Sequence, residues 1–405
     1  RTGIEWRHEL SETATLTVAH AQSRVHRDET LFGFWSVISD RELSGYYTDY
    51  RDTYRQVNSR LRLDVSARQG AFVHDLAVGM DRDTRDVRFR GRQALWDFAE
   101  NDWAFRLDID APDFRDIDPD EIATYPRAVR EDGTELGAWL SHRVHWGDQW
   151  QFAWGVRRNK FDLQSSRNGY ERTAVNEGTA WQAALRAPLS DYLALHYATA
   201  RGMRAVYGET LDGTPLPPAY SRMQEAGIHV QPNKSHRSSL TVFRVSDAQP
   251  VSLRDPRNPS AIELVKRETE GIEAVYQWSP RAWRLRAGYS YLRSEAEVDR
   301  EFVGIPRHQG SLLAEYDFGD RYQVPLQARW RWIRVGGRYA NATNTRRVPG
   351  YSRHDIDVRW RVSSGEMWLS IRNLFDEKYV AAVTNPSGVY QGQRRHAWVG
   401  WKTTF

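Results

Sequence analysis

The 405 residues contain no cysteine, which removes disulfides and thiolate metal sites and leaves the redox compartment open. No apolar run approaches the roughly 18 residues of a membrane-spanning helix, and the mean hydropathy is −0.71. The chain starts at Arg1 without a charged-then-apolar leader, so a signal peptide is expected to have been removed or to lie outside this sequence. Blocks of one charge sign are also missing. The 57 Lys and Arg are interspersed with 53 Asp and Glu, leaving +4, and that dispersal argues against a nucleic-acid surface. Among 12 histidines there is no HxH or HxxxH, and His142 and His145 fall on opposite faces of an apparent strand. Direct metal ligation by this chain is therefore not expected. No Gly-x-Ser-x-Gly occurs, and carboxylates that alternate with arginine suit charge pairing better than acid–base work. No catalytic residue is assigned.

What is present in excess is aromatic: 17 Trp and 19 Tyr. They sit in a period-two pattern. In "AWRLRAGYSYL" (282–292), Trp283, Leu285, Ala287, Tyr289 and Tyr291 share one face, while Arg284, Arg286, Gly288 and Ser290 share the other. "VPLQARWRWIRV" (324–335), "HDIDVRWRV" (354–362) and "AWQAALRAP" (180–188) repeat the scheme. Such alternation predicts strands with two different solvents on their faces.

Short turns are expected at 11–13, 147–148, 190–191, 233–235, 279–280, 319–320 and 364–365, and long polar loops over 91–128, 203–219, 247–260 and 337–348. Short turns at one end and long loops at the other describe an all-β, transmembrane antiparallel β-barrel of the outer-membrane kind. A soluble sandwich or propeller is the competing architecture, but it buries aliphatic residues and does not line one face with Trp and the other with Arg. About 17 strands are counted from 3–10 to 394–405. Both terminal strands run toward the short-turn side. Because single-chain bacterial barrels have even strand numbers, an odd number of strands is expected upstream.

Five segments carry a family resemblance. "RNLFDEKYV" (372–380), with Asn373, Leu374, Phe375, Asp376 and Tyr379, resembles the NLFD-K-Y segment near the C-terminus of TonB-dependent outer-membrane receptors. "TRRVPGYSRHDIDVRWRV" (345–362), "PRHQGSLLAEYDFGD" (306–320), the hairpin over 265–298 and "LALHYATARGMR" (193–204) resemble the barrel strands before it. The style is that of ferric-siderophore receptors of the ferrichrome and hydroxamate type, and it covers 180–405 best.

The resemblance implies a 22-stranded barrel, of which residues 1–405 form the C-terminal part without plug or TonB box. It implies a ferric siderophore as ligand, no cofactor bound directly, and energy supplied by the TonB-ExbB-ExbD system through the missing plug. It places the protein in the bacterial outer membrane, in contact with outer-membrane lipids and the barrel assembly machinery. The terminal strand, with Trp401 and Phe405, would be the signal that machinery reads, and would close the barrel on the first strand. Candidate ligand contacts in the outer loops are Tyr390 first, then Tyr339, Tyr207, Trp103 and Arg394. Residues 373–376 are expected to be structural. The alternatives are another ligand in the same family (cobalamin, haem, another metal chelate, an oligosaccharide) or a passive channel.

Overall fold

The computed structural model describes residues 1–37, 39, 41–94, 96–97, 102–103, 106–108, 110, 124–147, 150–167, 169–206, 208–214, 216–252, 262–296, 300–341, 343–362, 365–385 and 388–403. Tyr207 and Phe405 lie outside the described residues, and Trp103 is described in its backbone alone.

Seventeen strands build one antiparallel wall. They are β1 (Thr2–Ser11), β2 (Ala14–Val37), β3 (Glu42–Gln69), β4 (Phe72–Ala94), β5 (Tyr125–Trp146) and β6 (Trp150–Arg167). Next come β7 (Tyr170–Ser190), β8 (Leu193–Arg204), β9 (Ala219–Asn233), β10 (His236–Ser252), β11 (Ile262–Trp278) and β12 (Trp283–Ala296). The last are β13 (His308–Asp317), β14 (Leu326–Val335), β15 (Tyr351–Val362), β16 (Gly365–Arg372) and β17 (His396–Thr403). Each pairs with its sequence neighbour, as expected for an up-and-down wall. A further three-residue strand, Arg106–Asp108, adds onto Glu42–Ser44.

Register shows why the alternation matters. Leu16, Leu63, Val78, Leu140, Val156 and Trp181 lie side by side across six strands, on one face. Val78, Val156 and Trp181 are about two-fifths exposed. That apolar face has no protein over it, and lipid is the solvent that suits it. The opposite face is an ion-pair lattice: Arg157 with Asp81 at 2.6 Å, and Arg329 and Arg284 on Glu315 at 2.6 and 3.0 Å. A compact protein of this mass exposes roughly 16,000 Å²; the wall exposes 26307 Å². Among the described residues no central core fills it. The buried apolar clusters are small and sit where a loop tucks against the wall: Val206, Leu216, Ala219 and Ile262, beside Phe161, Leu163 and Ala174.

One sequence expectation needs correction. The long loops are shorter than expected because strands continue through them: β4 runs to Ala94, β5 resumes at Tyr125 and β10 reaches Ser252. β2 and β3 are 24 and 28 residues long, whereas about 9–11 residues cross a membrane. Above the bilayer both faces are wet, so pairing persists where alternation disappears. The short turn at Gly70, with φ 60° and no Cβ to oppose it, was not anticipated. Among the described residues β17 pairs with β16 alone and β1 with β2 alone. The two run in the same sense, as the odd strand count requires, so an antiparallel partner for β17 is a strand other than β1.

Candidate functional site

On the long-loop side three segments interlock: 300–307, 336–350 and 373–395. The clasp begins at Asp355 on β15, which is 1% exposed. Its Oδ1 accepts from the Asn373 backbone N–H at 3.0 Å, and its Oδ2 from Arg353 Nη2 at 3.1 Å. Asn373 takes a left-handed φ of 53°, which asparagine tolerates better than most residues. Its side-chain amide donates to the carbonyls of Glu377 and Gln393, each at 2.9 Å, and its Oδ1 accepts from Glu377 N at 2.9 Å. One buried side chain thus ties both ends of the 373–395 segment to the wall.

The rest of the motif divides between two solvents. Leu374 N donates to His354 O at 2.7 Å. Phe375 is 68% exposed and meets His354 edge-on at 4.9 Å, on the outward face where an interfacial aromatic belongs. Asp376, also at positive φ, receives Arg394 Nε at 2.8 Å, a second Arg394 contact through Nη2, and the Arg395 N–H at 2.9 Å. The Arg394 guanidinium, then the Arg395 amide, hold the Asp376 carboxyl well below the usual carboxylate range.

Tyr379 stacks on Tyr351 with ring centroids 4.2 Å apart and accepts from Arg353 Nη1 at 3.3 Å. Its carbonyl receives the Gly392 N–H at 2.7 Å. Gly392 lies flat against the ring: a Cβ there would stand 2.1 Å from Tyr379 Cζ. The neighbouring segment is pinned by Arg338, 3% exposed, whose Nη2 donates to the carbonyls of Val380 and Ala381 at 2.8 and 3.2 Å. Gly304 N donates to Tyr339 O at 2.8 Å, and Asn344 bridges both backbone groups of Glu301 at 2.7 and 2.9 Å.

Three of the five sequence-assigned ligand residues therefore fall in one cluster. Tyr339 sits beside the Arg338 anchor. Tyr390, 61% exposed, faces Ala382 in the Val380–Asn385/Gly388–Gln391 hairpin. Arg394 is engaged by Asp376. The Trp103 backbone pairs with Trp96 elsewhere in the loops, and Tyr207 is outside the described residues. Trp401 lies on β17, half exposed on the lipid face. His142 and His145 do point to opposite faces: His142 stacks on His74, and His145 lies 3.6 Å from Asp75.

Sequence reasoning missed Tyr351, Arg353 and the buried anchors. Arg338 Nη1 and Arg353 Nε are buried donors without a partner among the described residues, so the cluster retains hydrogen-bonding capacity. A second inward-facing group was missed too, high on β2–β4. There Tyr50 donates to Glu29, Arg27 bonds Asp52 at 2.8 Å while lying 5.1 Å from the Tyr50 ring centre, and Phe89 packs 4.9 Å from that ring.

A family model described as TonB dependent receptor-like, β-barrel, matches residues 1–374. The ferrioxamine B receptor of Salmonella typhimurium (strain SL1344) is 26% identical over 353 residues, 82% of this chain and 48% of its own length. The metal-pseudopaline receptor CntO of Pseudomonas aeruginosa is 22% identical over 416 residues, 96% of this chain and 57% of its own. The crystal structure of BauA, the ferric preacinetobactin receptor from Acinetobacter baumannii, superposes with a TM-score of 0.80 at 18% identity. That match covers 98% of this chain and 61% of BauA, a likeness of fold. The chain spans about half the length of the curated relatives it matches.

Proposed function

The chain belongs to the TonB-dependent receptor β-barrel family of the outer membrane, and from that premise we propose that it forms the wall and outer loops of an importer of a ferric hydroxamate chelate. Binding takes place in the loop cluster at Tyr339, Tyr351, Tyr379 and Tyr390. The TonB-ExbB-ExbD system, acting through a plug supplied by the rest of the protein, then drives release inward. The barrel assembly machinery inserts the wall by reading the terminal strand.

The observation that carries the ligand class is the state of the arginines. Arg394 lies on Asp376, Arg353 on Asp355, Arg307 on Glu301 and Arg338 on two carbonyls. A site for a highly anionic chelate would hold cations free for it. Here tyrosine rings and hydrogen-bond donors dominate, which suits a chelate of low net charge. The 26% identical ferrioxamine B receptor supports this choice. The metal-pseudopaline relative, aligned over nearly the whole chain, supports a second reading in which the chelate carries another metal.

The test is uptake of labelled chelates by cells whose sole receptor is the full-length gene product, with and without an energised inner membrane. Energy-dependent uptake of a ferric hydroxamate supports the proposal. Uptake confined to catecholate or citrate chelates removes the ligand class. Energy-independent passage of small solutes removes the transporter reading altogether.

A further inference from the structure

At the short-turn end of the wall, opposite the loop cluster, β7–β11 enclose a bowl on the lumen face. Leu185, Ile228 and Leu240 lie on the outward face with Trp181 and are about two-fifths exposed. Arg186, His229 and Arg237 hold the alternate positions and so face the lumen. Ala194, His229, Ser239 and Val275 form one row across β8–β11, and the small residues on either side of His229 leave a depression. The bowl measures about 900 Å³, within the range of small-molecule pockets. Its rim is the pair of turns at 190–193 and 231–234. Both hairpins shift register there, between Pro188 and Ser190 and between Val230 and Asn233, and such bulges bend a strand away from its partner.

The charge of the bowl is one-sided. Arg186 lies opposite His196, one row toward the loops from His229, and Arg237 lies one row toward the turns, opposite Gln277. The three form a diagonal over β7–β10 whose ends are roughly 20 Å apart at the backbone. Lys234 extends it into the turn. Arg237 and Lys234 have no carboxylate partner among the described residues, whereas Arg284 and Arg329 share Glu315 farther round the lumen. The charged or chargeable groups that act on His229 are His196, Arg186 and Arg237, with no carboxylate among them. The His196 and His229 rings are 4.7 Å apart, and His196 Nδ1 is a buried nitrogen without a partner among the described residues. Among the lining residues Asp191, in the turn, is the one carboxylate.

We propose that this bowl binds a small polyanion of the tricarboxylate class at the periplasmic mouth of the lumen. Arg186, His229 and Arg237 each take one carboxylate, and Ser239 and Gln277 supply uncharged hydrogen bonds. The spread of the cations selects the ligand. A single phosphate engages one end of the diagonal and leaves the other unpaired, whereas three linked carboxylates reach along it. The turns bound the bowl, so a compact molecule fits it better than a running segment of protein. Placement follows from the fold, since the short turns of an outer-membrane barrel are periplasmic. The inference rests on the barrel and not on the imported chelate, so this site and uptake through the loop cluster can fail separately.

The test is titration calorimetry on the full-length gene product in a non-ionic detergent, at low ionic strength and without iron. The probes are propane-1,2,3-tricarboxylate, its trimethyl ester, inorganic phosphate and a tetraglutamate peptide. One tricarboxylate per protein is expected, with phosphate about tenfold weaker and the ester silent. His229→Gln with Arg237→Gln should weaken the tricarboxylate about tenfold or more. Arg237→Lys should keep most of the affinity, and Arg51→Gln, on the outward face, should leave it unchanged. Absence of binding by the unaltered protein overturns the proposal, and so does equal affinity for phosphate, which would mean a diffuse positive field. Tighter binding of tetraglutamate would overturn it in favour of a protein segment. Displacement of the tricarboxylate by a ferric hydroxamate would overturn it by placing the anion in the chelate site.

Discussion

The backbone N–H of Asn373 donates to Asp355 Oδ1 at 3.0 Å, and both residues are 1% exposed. A loop entrance and a barrel strand are thereby joined through a buried carboxylate. The Asn373 side chain then makes three more bonds of 2.9 Å to the loop's two ends.

Replacing Asn373 by alanine removes those three bonds and places an unfavourable residue at φ 53°. With about 1 kcal/mol for each bond and about 1–2 for the backbone, the loop should loosen by roughly 4–5 kcal/mol. The wall, held by seventeen strands, should keep its heat-resistant mobility on gels. Protease added to intact cells should cut within 377–395 in Asn373→Ala and spare the unaltered protein. Asn373→Gly should fall between them, since it restores the backbone and not the bonds. Equal resistance of all three would mean that the clasp does not hold the loop.

Gly392→Ala tests the close approach to Tyr379. The new methyl would stand 2.1 Å from Cζ, so the ring must leave its 4.2 Å stack on Tyr351. Chelate binding should weaken about tenfold if those rings form the wall of the site. Tyr379→Ala should bind as weakly by itself, and adding Gly392→Ala to it should cost nothing further, because the clash is then gone. Additive losses would show that the two residues act separately.

Much of this was readable in the chain, for a physical reason. Where one face meets lipid and the other water, every second residue reports its side, so Trp283, Leu285 and Tyr289 announced their strand. The Asn373–Asp376 motif was legible as a chain exit because asparagine and aspartate suit positive φ, and both adopt it. Above the bilayer that signal stops. His26 to Glu29 are polar on both faces, and nothing in them shows that β2 continues to Val37. Pairing partners were equally hidden. Tyr50 meets Glu29 because the register aligns them, and Arg338 binds carbonyls, which leave no mark on side-chain pattern. Tyr390 and Tyr339 were placed in loops by spacing, but their common neighbourhood depends on the Arg338 anchor.

The Asp376–Arg394 pair fixes a pH dependence. A carboxyl held below its ordinary value of 3.8 contributes stability that is complete above that value. The contribution is lost only as pH falls through the lower, folded-state value. Between pH 7 and pH 5 the pair should therefore stay intact. Chelate affinity measured on purified protein should be flat over that range, provided the chelate itself does not titrate there. Asp376→Asn should lose the same factor at both pH values. A wild-type affinity that drops between pH 7 and 5, with Asp376→Asn flat, would show that Asp376 titrates there and that Arg394 does not hold it.

Tyr390 supplies the most direct test of the site. Its side chain is 61% exposed, so removing it should leave the loop's protease resistance and the barrel's heat-resistant mobility unchanged. An aromatic face lost from a chelate contact is worth about 1–2 kcal/mol, or roughly 5- to 30-fold in affinity. Tyr390→Ala should raise the Kd for the imported ferric chelate by that factor, and Tyr390→Phe should recover most of it if the ring is the contact. If Phe binds as poorly as Ala, the hydroxyl is the contact and hydrogen bonding selects the ligand. If Ala binds as well as tyrosine, the chelate sits deeper, against Tyr351 and Tyr379. Tyr351→Ala should then carry the loss, because that ring is stacked and half-buried where the loop meets the wall.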